Sequence, residues 1–442
     1  MSKVLPLLQI QKLQFSDKPL AERQLLEFLQ RTEDSAIAQV ELTPKPESLN
    51  SINGFVTFSN NEKYFFKSHV EENEKVSEYY NASILAQAGY PVVSARRIKQ
   101  RPGQQIAFYE ILSMTTLFDE LKAEEDWQRE NPQSAKAAHL IQAQIELDKI
   151  VSQILHSTLR SISAEDQAKA PIHQLFSNRL AEDGRLGLFY RNKSITLDQR
   201  AVSFEELSSL HWTVNGADYG ATLSETVELA RDLLTPKEGP ASIGHGDAHN
   251  GNIFVNMDLN TGEPLPSKGS VTDDAAPPSK NRLVMFDPAF AGEHNPILDI
   301  TKTIFHNHFA RWMYFPEQVA GEFKLTYTLS ENRIAIEHDF RPSKLRIQLL
   351  RIKIADVVKP LIKRLDEQKL LQENWRHYLR CALFCCPFLT VNLFAPFVPG
   401  GTLAERYTLP IKLLALSMAM ELGCESRSGS NSLADLIDEI FD

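Results

Sequence analysis

The first quarter of the chain has the pattern of a small sheet built around one helix. Residues 72–88 carry apolar positions at helical spacing, and Gly89 with Pro91 behind it is typical of a helix end. Short runs rich in β-branched and aromatic residues lie on either side, and each predicts a strand: 36–42, 52–58, 63–69, 92–98 and 105–112. The predicted order is therefore three strands, a helix and two strands.

Most of the remaining chain follows a helical period. Apolar positions at this spacing predict helices over 18–32, 133–162, 223–234, 300–309, 344–370, 375–393, 411–422 and 433–441, and a helix that starts at 117–121. Residues 171–209 are less periodic and predict a packed, irregular insert. Strand-like runs at 253–256 and 283–286 flank a loop rich in Pro, Gly and Ser. A small antiparallel sheet followed by a larger, mainly helical part predicts the α+β class.

Length, charge and cysteine usage limit the class of protein. The 442 residues suffice for two or three domains, and the net charge of −10 argues against nucleic acid as a partner. No signal peptide is expected at the N-terminus, and the apolar stretch 381–398 is interrupted by Pro387 and Pro396, so no membrane partner is predicted. The four cysteines are expected to be buried, reduced thiols. A cytoplasmic protein is predicted.

Two small polar clusters stand beside the strand-like runs at 253–256 and 283–286. The first contains His245, Asp247 and Asn252, and the second contains Asp287. Two carboxylates and an amide on neighbouring turns are what Mg²⁺-assisted phosphoryl transfer requires. Asp247 would orient the acceptor hydroxyl and receive its proton, while the oxygens of Asn252 and Asp287 would hold the metal. The alternative is that both aspartates are turn residues that follow strands.

These clusters carry a resemblance to a known family. His245-Gly246-Asp247, Asn252 five positions after the aspartate, a hairpin and then Asp287 resemble the catalytic core of the aminoglycoside phosphotransferase and choline kinase family. Gly246 stands where protein kinases have Arg, and Pro288-Ala289 stands where they have Phe-Gly, which favours the small-molecule branch. The resemblance implies a two-lobed, protein-kinase-like fold and ATP with Mg²⁺ as cofactors. It divides the chain into a nucleotide-binding lobe (1–112) and a helical lobe with the acceptor site (113–442).

The same resemblance assigns a lysine and a glutamate to the nucleotide. Lys67 lies at the end of the third predicted strand, where its ammonium group would bind the α- and β-phosphates. Glu78 in the following helix would fix that lysine. The acidic residues at the helix start compete for this role, and they are Glu71, Glu72 and Glu74. A lysine that reaches solvent from a strand end is the alternative for Lys67.

The sequence signals are weaker for the loop that would cover the phosphates and for the adenine site. Residues 44–54 contain no G-x-G-x-x-G pattern, so Ser51 and Asn53 are predicted to offer donors in its place. The family often has such a Ser/Asn loop, although an ordinary polar turn fits equally well. The segment 108–114 occupies the position of the hinge between lobes, where the backbone groups of Glu110 and Leu112 are predicted to bind the adenine edge.

The remaining polar residues are predicted either to support the catalytic loop or to contact the acceptor. His245 is predicted to orient the catalytic loop through hydrogen bonds, and the resemblance implies that Asp299 braces the loop from the following helix. His249 is predicted to face either the substrate or the groups behind Asp247. Three arginines in the irregular insert could bind an anionic acceptor, but a solvated surface is the expectation for them: Arg179, Arg185 and Arg191.

The predicted function is an ATP-dependent phosphotransferase. It would move the γ-phosphate to a hydroxyl of a small-molecule acceptor, with amino sugars, other sugars, choline-like alcohols and amino-acid alcohols all open. The alternatives are a kinase-like enzyme that acts on a protein, a nucleotidyl transferase, or a nucleotide-binding pseudokinase. A pseudokinase is expected to lack Lys67, Asp247 or Asn252, and none of these is missing.

Overall fold

The computed structural model describes most of the chain. The described residues are 7–32, 36–43, 51–69, 78–93, 95, 97–99, 105–111, 114–128, 134–265, 280–399, 401–428 and 432–441.

The N-terminal part is an antiparallel sheet with helices at its side. Helices α1 (Leu7–Ser16) and α2 (Lys18–Thr32) pack beside the sheet, whereas α3 (Glu78–Ala88) contacts the later strands 239–244 and 292–294. Its strands are β1 (Ile37–Leu42), β2 (Ser51–Phe58), β3 (Lys63–His69), β4 (Arg97–Lys99) and β5 (Gln105–Glu110), in the order β1-β2-β3-β5-β4. Helix α2 packs on β1, and a hydrophobic core forms between helices and sheet because alternate strand residues such as Ile52, Val56 and Phe66 face inward.

The rest of the described chain is mainly helical. Its helices are α4 (Leu117–Gln128), α5 (Ala135–Ser157), α6 (Ala164–Lys169), α7 (Ser177–Leu180), α8 (Arg185–Tyr190), α9 (Phe204–Ser209), α10 (Leu223–Leu234), α11 (Pro296–His308), α12 (Arg311–Tyr314), α13 (Pro316–Ala320), α14 (Lys344–Lys353), α15 (Lys359–Glu367), α16 (Trp375–Leu389), α17 (Leu409–Gly423) and α18 (Ser432–Asp438). A π-helical stretch, Ile354–Val358, joins α14 to α15. Helices α11 and α17 both pack against α16, and their buried faces form the larger hydrophobic core.

Short strands complete this part. They are β6 (Arg160–Ile162), β7 (Ser194–Leu197), β8 (Arg200–Ser203), β9 (His211–Val214), β10 (Ala217–Tyr219), β11 (Gly239–Gly244), β12 (Ile253–Val255), β13 (Leu283–Met285), β14 (Gly292–His294), β15 (Leu325–Leu329), β16 (Arg333–His338) and β17 (Ser426–Ser428). Strands β15-β16-β9-β10-β17 form a second sheet, in which β16 and β9 are parallel.

The α+β class predicted from the sequence is confirmed, with several local corrections. The helix predicted over 133–162 ends at Ser157, because residues 160–162 pair with β11 as strand β6. Among the described residues of the strand predicted over 92–98, Val92 bridges Met285, and Arg97 and Ile98 join the sheet as part of β4. After Asp299 the sequence analysis predicts helices and no strand, whereas the structure contains β15, β16 and β17 there. Helix α1 was not predicted.

Among the described residues, no helix is both long and apolar enough to cross a membrane. The four cysteines are buried and unpaired with one another, as the sequence predicts.

Candidate active site

The two polar clusters meet at the end of one β-hairpin. Strands β12 and β13 are antiparallel partners, with Ile253 opposite Met285. Directly beyond this pair, the backbone N–H of Phe286 donates to the carbonyl oxygen of Asn252 over 3.0 Å. Asn252 and Asp287 therefore lie at the same end of neighbouring strands, although the sequence separates them by a long loop.

Buried hydrogen bonds fix the polar loop, residues 245–252. The backbone N–H of Gly246 donates to Asp299 Oδ1 over 2.6 Å, and His245 Nε2 donates to the carbonyl oxygen of Phe286 over 3.0 Å. Burial alone would raise the pKa of Asp299, but its contacts with His294 and Gly246 outweigh burial and lower that pKa. His245 and Asp299 thus make the kind of contact that the sequence analysis predicts for supporting residues.

Gly246 lies where the loop passes closest to the chain that follows Asp287. Its φ is +77°, and a Cβ atom there would lie 2.2 Å from the carbonyl oxygen of Phe290. Gly216 has a φ of +78°, but a Cβ atom there would meet no atom of the described residues within 4 Å. The two positions therefore share the same backbone requirement and differ in crowding.

We expect Gly246→Ala to destabilise the fold by about 1–3 kcal/mol more than Gly216→Ala, since overpacking adds to the left-handed strain that both share. Chemical denaturation of both variants measures the difference. Equal midpoints for the two would contradict the close approach at Phe290.

Asp247 forms an ion pair with a lysine that the sequence analysis missed. Its Oδ1 lies 3.1 Å from Nζ of Lys302, and the side chains are 17% and 4% exposed. Lys302 Nζ also donates to His306 Nε2 over 2.9 Å, and His306 Nδ1 lies 2.8 Å from the hydroxyl of Tyr314. The sequence did hold a signal, because Lys302 is a charged residue within the apolar pattern of α11.

The charges around Asp247 keep it ionised. Burial would raise the pKa of Asp247, but Lys302 and then the nearby histidines lower it well below its ordinary value. Burial, followed by the charge of Lys302, lowers the pKa of His306 well below its usual range. The site therefore holds a carboxylate and an ammonium group beside a neutral imidazole.

His249 faces Asp247. Its Nδ1 accepts a hydrogen bond from the backbone N–H of Gly251 over 3.1 Å, which leaves the ring proton on Nε2. That Nε2 lies 4.0 Å from Asp247 Oδ2. Burial is the largest influence on His249 and lowers its pKa. The ring is directed at the aspartate, and both orientations predicted from the sequence stay open.

Asn252 and Asp287 are the two residues predicted to hold the metal. The Asn252 Nδ2 group donates to the carbonyl oxygen of Asp247 over 3.0 Å, so the amide oxygen is the atom available to a cation. Asp287 has a φ of +57°, a left-handed conformation that Asp tolerates better than most residues. Its Oδ1 contacts the ammonium group of Lys67, so this carboxylate already accommodates a positive charge.

Only some of the residues predicted to bind the nucleotide are among the described residues. Lys67 on β3 lies opposite Asn53 on β2, and Glu110 ends β5 opposite Tyr64. Glu78 begins α3, but its side chain lies outside the described residues, and so does the side chain of Ser51. Leu112 and the competing residues Glu71, Glu72 and Glu74 lie wholly outside the described residues. The proposed Lys67–Glu78 pair therefore stays a prediction.

The three arginines of the insert differ from one another. Arg191 is exposed and pairs with Glu182, as expected for a solvated surface. Arg185 donates to the carbonyl oxygens of Leu389 and Thr390 at the end of α16. Arg179 is only 9% exposed, so the solvated surface expected for it is wrong. The insert packs against the end of α16, and this burial could not be read from local sequence.

Comparison with known proteins gives structural likeness without sequence likeness. No protein-family model matches the chain, and no curated protein matches it either. An aminoglycoside phosphotransferase mutant in a ternary complex with ADP and hygromycin B is 10% identical, with 92% of this chain and 99% of that chain covered and a TM-score of 0.43.

Two further solved structures are similar at the same level. An ethanolamine kinase from Plasmodium vivax is 10% identical, covers 91% of this chain and 81% of its own, and has a TM-score of 0.38. A putative fructosamine-3-kinase from Thermobifida fusca is 12% identical, covers 90% and 98%, and has a TM-score of 0.34. These enzymes are of the class that the sequence resembles. Because all three TM-scores lie below 0.5, the chemistry of this chain has to be inferred from its own residues.

Proposed function

We propose that the protein is an ATP-dependent phosphotransferase that moves the γ-phosphate to a hydroxyl of a small molecule. The observation that best supports this is the contact between Lys67 and Asp287, which lie 220 positions apart in the sequence. The sequence analysis assigned one to the phosphates and the other to the metal, both with the support of the same family resemblance. A shared position for these two groups is what a bound Mg²⁺-nucleotide requires.

Asn252 and Asp287 would hold Mg²⁺ in this reading. Mg²⁺ is a hard cation that takes one or two protein oxygens together with phosphates and waters, and one amide oxygen with one carboxylate fits that need. When bound, the metal would neutralise charge on the phosphates. Lys67 would leave Asp287 for the phosphates, so that both groups keep a partner of opposite charge.

Asp247 would orient the acceptor hydroxyl and take its proton late. The lowered pKa of Asp247 makes it a weak base, which suits a loose transition state in which the acceptor oxygen is little deprotonated until bonding to phosphorus is under way. Lys302, 3.1 Å away, fixes the carboxylate and brings positive charge close to the reacting groups. The new O–P bond forms as the bond to ADP breaks, and the hydroxyl proton passes to Asp247.

The test is Mg²⁺-dependent nucleotide binding with Asp287→Asn. Asn also tolerates a positive φ, so the substitution removes charge without changing the backbone requirement. We expect the gain in ADP affinity that Mg²⁺ gives to fall roughly 10- to 100-fold, because a direct ligand should matter at least as much as the groups that orient ligands. Isothermal titration calorimetry with and without Mg²⁺ measures this gain.

Asp198→Asn is the matched control. Asp198 has a φ of +48° and accepts a hydrogen bond from Tyr327 in a hairpin away from the site, and Asn can accept the same bond. It should bind Mg²⁺-ADP as the wild type does. Nucleotide binding that is indifferent to Mg²⁺ in the wild type would remove the basis of the proposal. ATP turnover stimulated by a protein, with no response to hydroxyl-bearing small molecules, would favour the protein-kinase alternative.

A further inference from the structure

The two carboxylate oxygens of Asp247 have different surroundings. Oδ1 is buried and lies 3.1 Å from Nζ of Lys302, whose side chain is only 4% exposed. The Asp247 side chain as a whole is 17% exposed. Because Oδ1 faces the buried lysine, Oδ2 is the oxygen left for a ligand.

His249 directs one hydrogen-bond donor at that oxygen. Its Nδ1 accepts from the backbone N–H of Gly251, so the ring proton lies on Nε2, 4.0 Å from Asp247 Oδ2. This distance is too long for a hydrogen bond, in which donor and acceptor lie about 3 Å apart. In the part of the chain that the structure describes, neither Nε2 of His249 nor Oδ2 of Asp247 has a hydrogen-bond partner. A donor and an acceptor therefore face each other across a gap.

The gap distinguishes this pair from other histidine–carboxylate pairs of the described chain. In two such pairs Nε2 lies 3.3 Å from the carboxylate oxygen, and the side chains are 0 to 6% exposed: His294–Asp299 and His338–Glu421. Those pairs are in direct contact and closed to solvent. The side chains of His249 and Asp247 are 24% and 17% exposed, so their gap can be reached from outside.

A single hydroxyl oxygen matches this gap. A hydroxyl group can accept one hydrogen bond and donate another. Hydrogen bonds of about 2.8 Å from one oxygen can reach both atoms of a pair that lie 4.0 Å apart. An ammonium group cannot bind in the same way, because it has no lone pair to accept the proton of Nε2.

We propose that the acceptor hydroxyl binds between His249 Nε2 and Asp247 Oδ2, so that His249 is a second residue in contact with the reacting oxygen. This inference rests on the proposed function and deepens it. The oxygen accepts from Nε2 and donates to Oδ2, which leaves a lone pair for the γ-phosphorus. The O–P bond forms as the bond from phosphorus to the ADP oxygen breaks. The hydroxyl proton passes to Oδ2, and His249 keeps its own proton.

Two substitutions separate this donor from the support that His249 gives to the loop. The Nδ1 of His249 caps the short turn at residues 250–252. His249→Asn keeps an acceptor for the N–H of Gly251, since Asn is a favoured capping residue, but its shorter side chain has no donor at the position of Nε2. His249→Gln has a longer side chain, whose amide N–H can take the place of the Nε2 donor.

The probe is tetrafluoroaluminate together with Mg²⁺-ADP, measured by isothermal titration calorimetry on the full chain. This anion mimics the phosphoryl group during transfer and binds a water molecule where the acceptor oxygen would lie, so it should tighten ADP binding. His249→Asn should reduce that gain about 3- to 10-fold, the effect of one hydrogen bond, and leave the affinity for Mg²⁺-ADP alone unchanged. His249→Gln should recover part of the gain.

His139→Asn is the matched control. His139 is also half-buried, and its Nδ1 bonds the carbonyl oxygen of Leu259, outside the polar loop. This variant should show the full gain. An unchanged gain in His249→Asn, or an equal loss in His249→Asn and His249→Gln, would overturn the inference. A wild type that binds Mg²⁺-ADP but gains nothing from tetrafluoroaluminate would overturn it too. Failure of the wild type to bind Mg²⁺-ADP would instead defeat the proposed function.

Discussion

Asp247→Asn is expected to lower kcat about 10³-fold, within the range for loss of a residue that accepts a proton. The substitution keeps the shape of the side chain but removes the charge that orients the acceptor hydroxyl. Nucleotide affinity should change little, because Asn252 and Asp287 are retained. Product formation under saturating Mg²⁺-ATP, with ADP binding measured in parallel, tests both parts of this expectation.

The control for Asp247→Asn addresses the fold. Lys302 is 4% exposed and would lose the carboxylate that lies 3.1 Å from it, and removal of one partner of a buried ion pair costs about 3–5 kcal/mol. The double variant Asp247→Asn with Lys302→Met removes both charges and should recover much of that stability, yet remain inactive. Activity close to wild type in either variant would exclude Asp247 from the reaction.

Acidification from pH 7.5 to pH 5 is expected to destabilise the fold by roughly 6 kcal/mol, about 2 kcal/mol for each of three buried histidines. Burial lowers the pKa of His173 to about 4 and of His308 to about 3, and it lowers the pKa of His306 well below its ordinary value of 6.5. Below pH 6.5 the unfolded chain therefore takes up protons that the folded chain does not. Stability is lost as the pH falls towards the folded pKa values.

Urea denaturation at a series of pH values measures this dependence. His308→Asn provides the control, because it removes one of the three histidines and should reduce the loss between pH 7.5 and 5 by about a third. The comparison uses the slope of the unfolding free energy with pH and not its absolute value. The reason is that the variant also loses the hydrogen bond that His308 Nδ1 donates to the carbonyl oxygen of Ile304. A free energy of unfolding that is flat over this range would show that the histidines titrate normally.

Much of the candidate site was predicted from the spacing of its residues along the chain. Asp247, Asn252 and Asp287 were predicted because their positions relative to a hairpin are local features, and the hairpin pairs as predicted. Lys302 was missed because its approach to Asp247 depends on how α11 is rotated against the polar loop. The side chain of Arg179 was expected to be exposed to solvent, because no local feature of the sequence predicts that the insert packs on α16.

The secondary structure also follows local sequence in some places and pairing with distant strands in others. The runs of the first sheet have apolar residues that alternate, and their strands were predicted closely. Residues 325–329 and 333–338 alternate too, but no strand was predicted there because the surrounding chain follows a helical period. Residues 160–162 continue the helical period of α5 and become a strand only because β11 lies beside them. Pairing with distant partners overrode local preference there.

The contact between Lys67 and Asp287 has a consequence for the order in which ligands enter. An internal ammonium group at Asp287 competes with free Mg²⁺ for the carboxylate, so under the proposed function the metal alone should bind weakly. A nucleotide that attracts Lys67 to its phosphates would remove the competitor and raise the affinity for the metal. By thermodynamic linkage the metal must favour the nucleotide by the same factor. The two ligands would then enter as one cooperative unit, and the lysine would set the strength of their coupling.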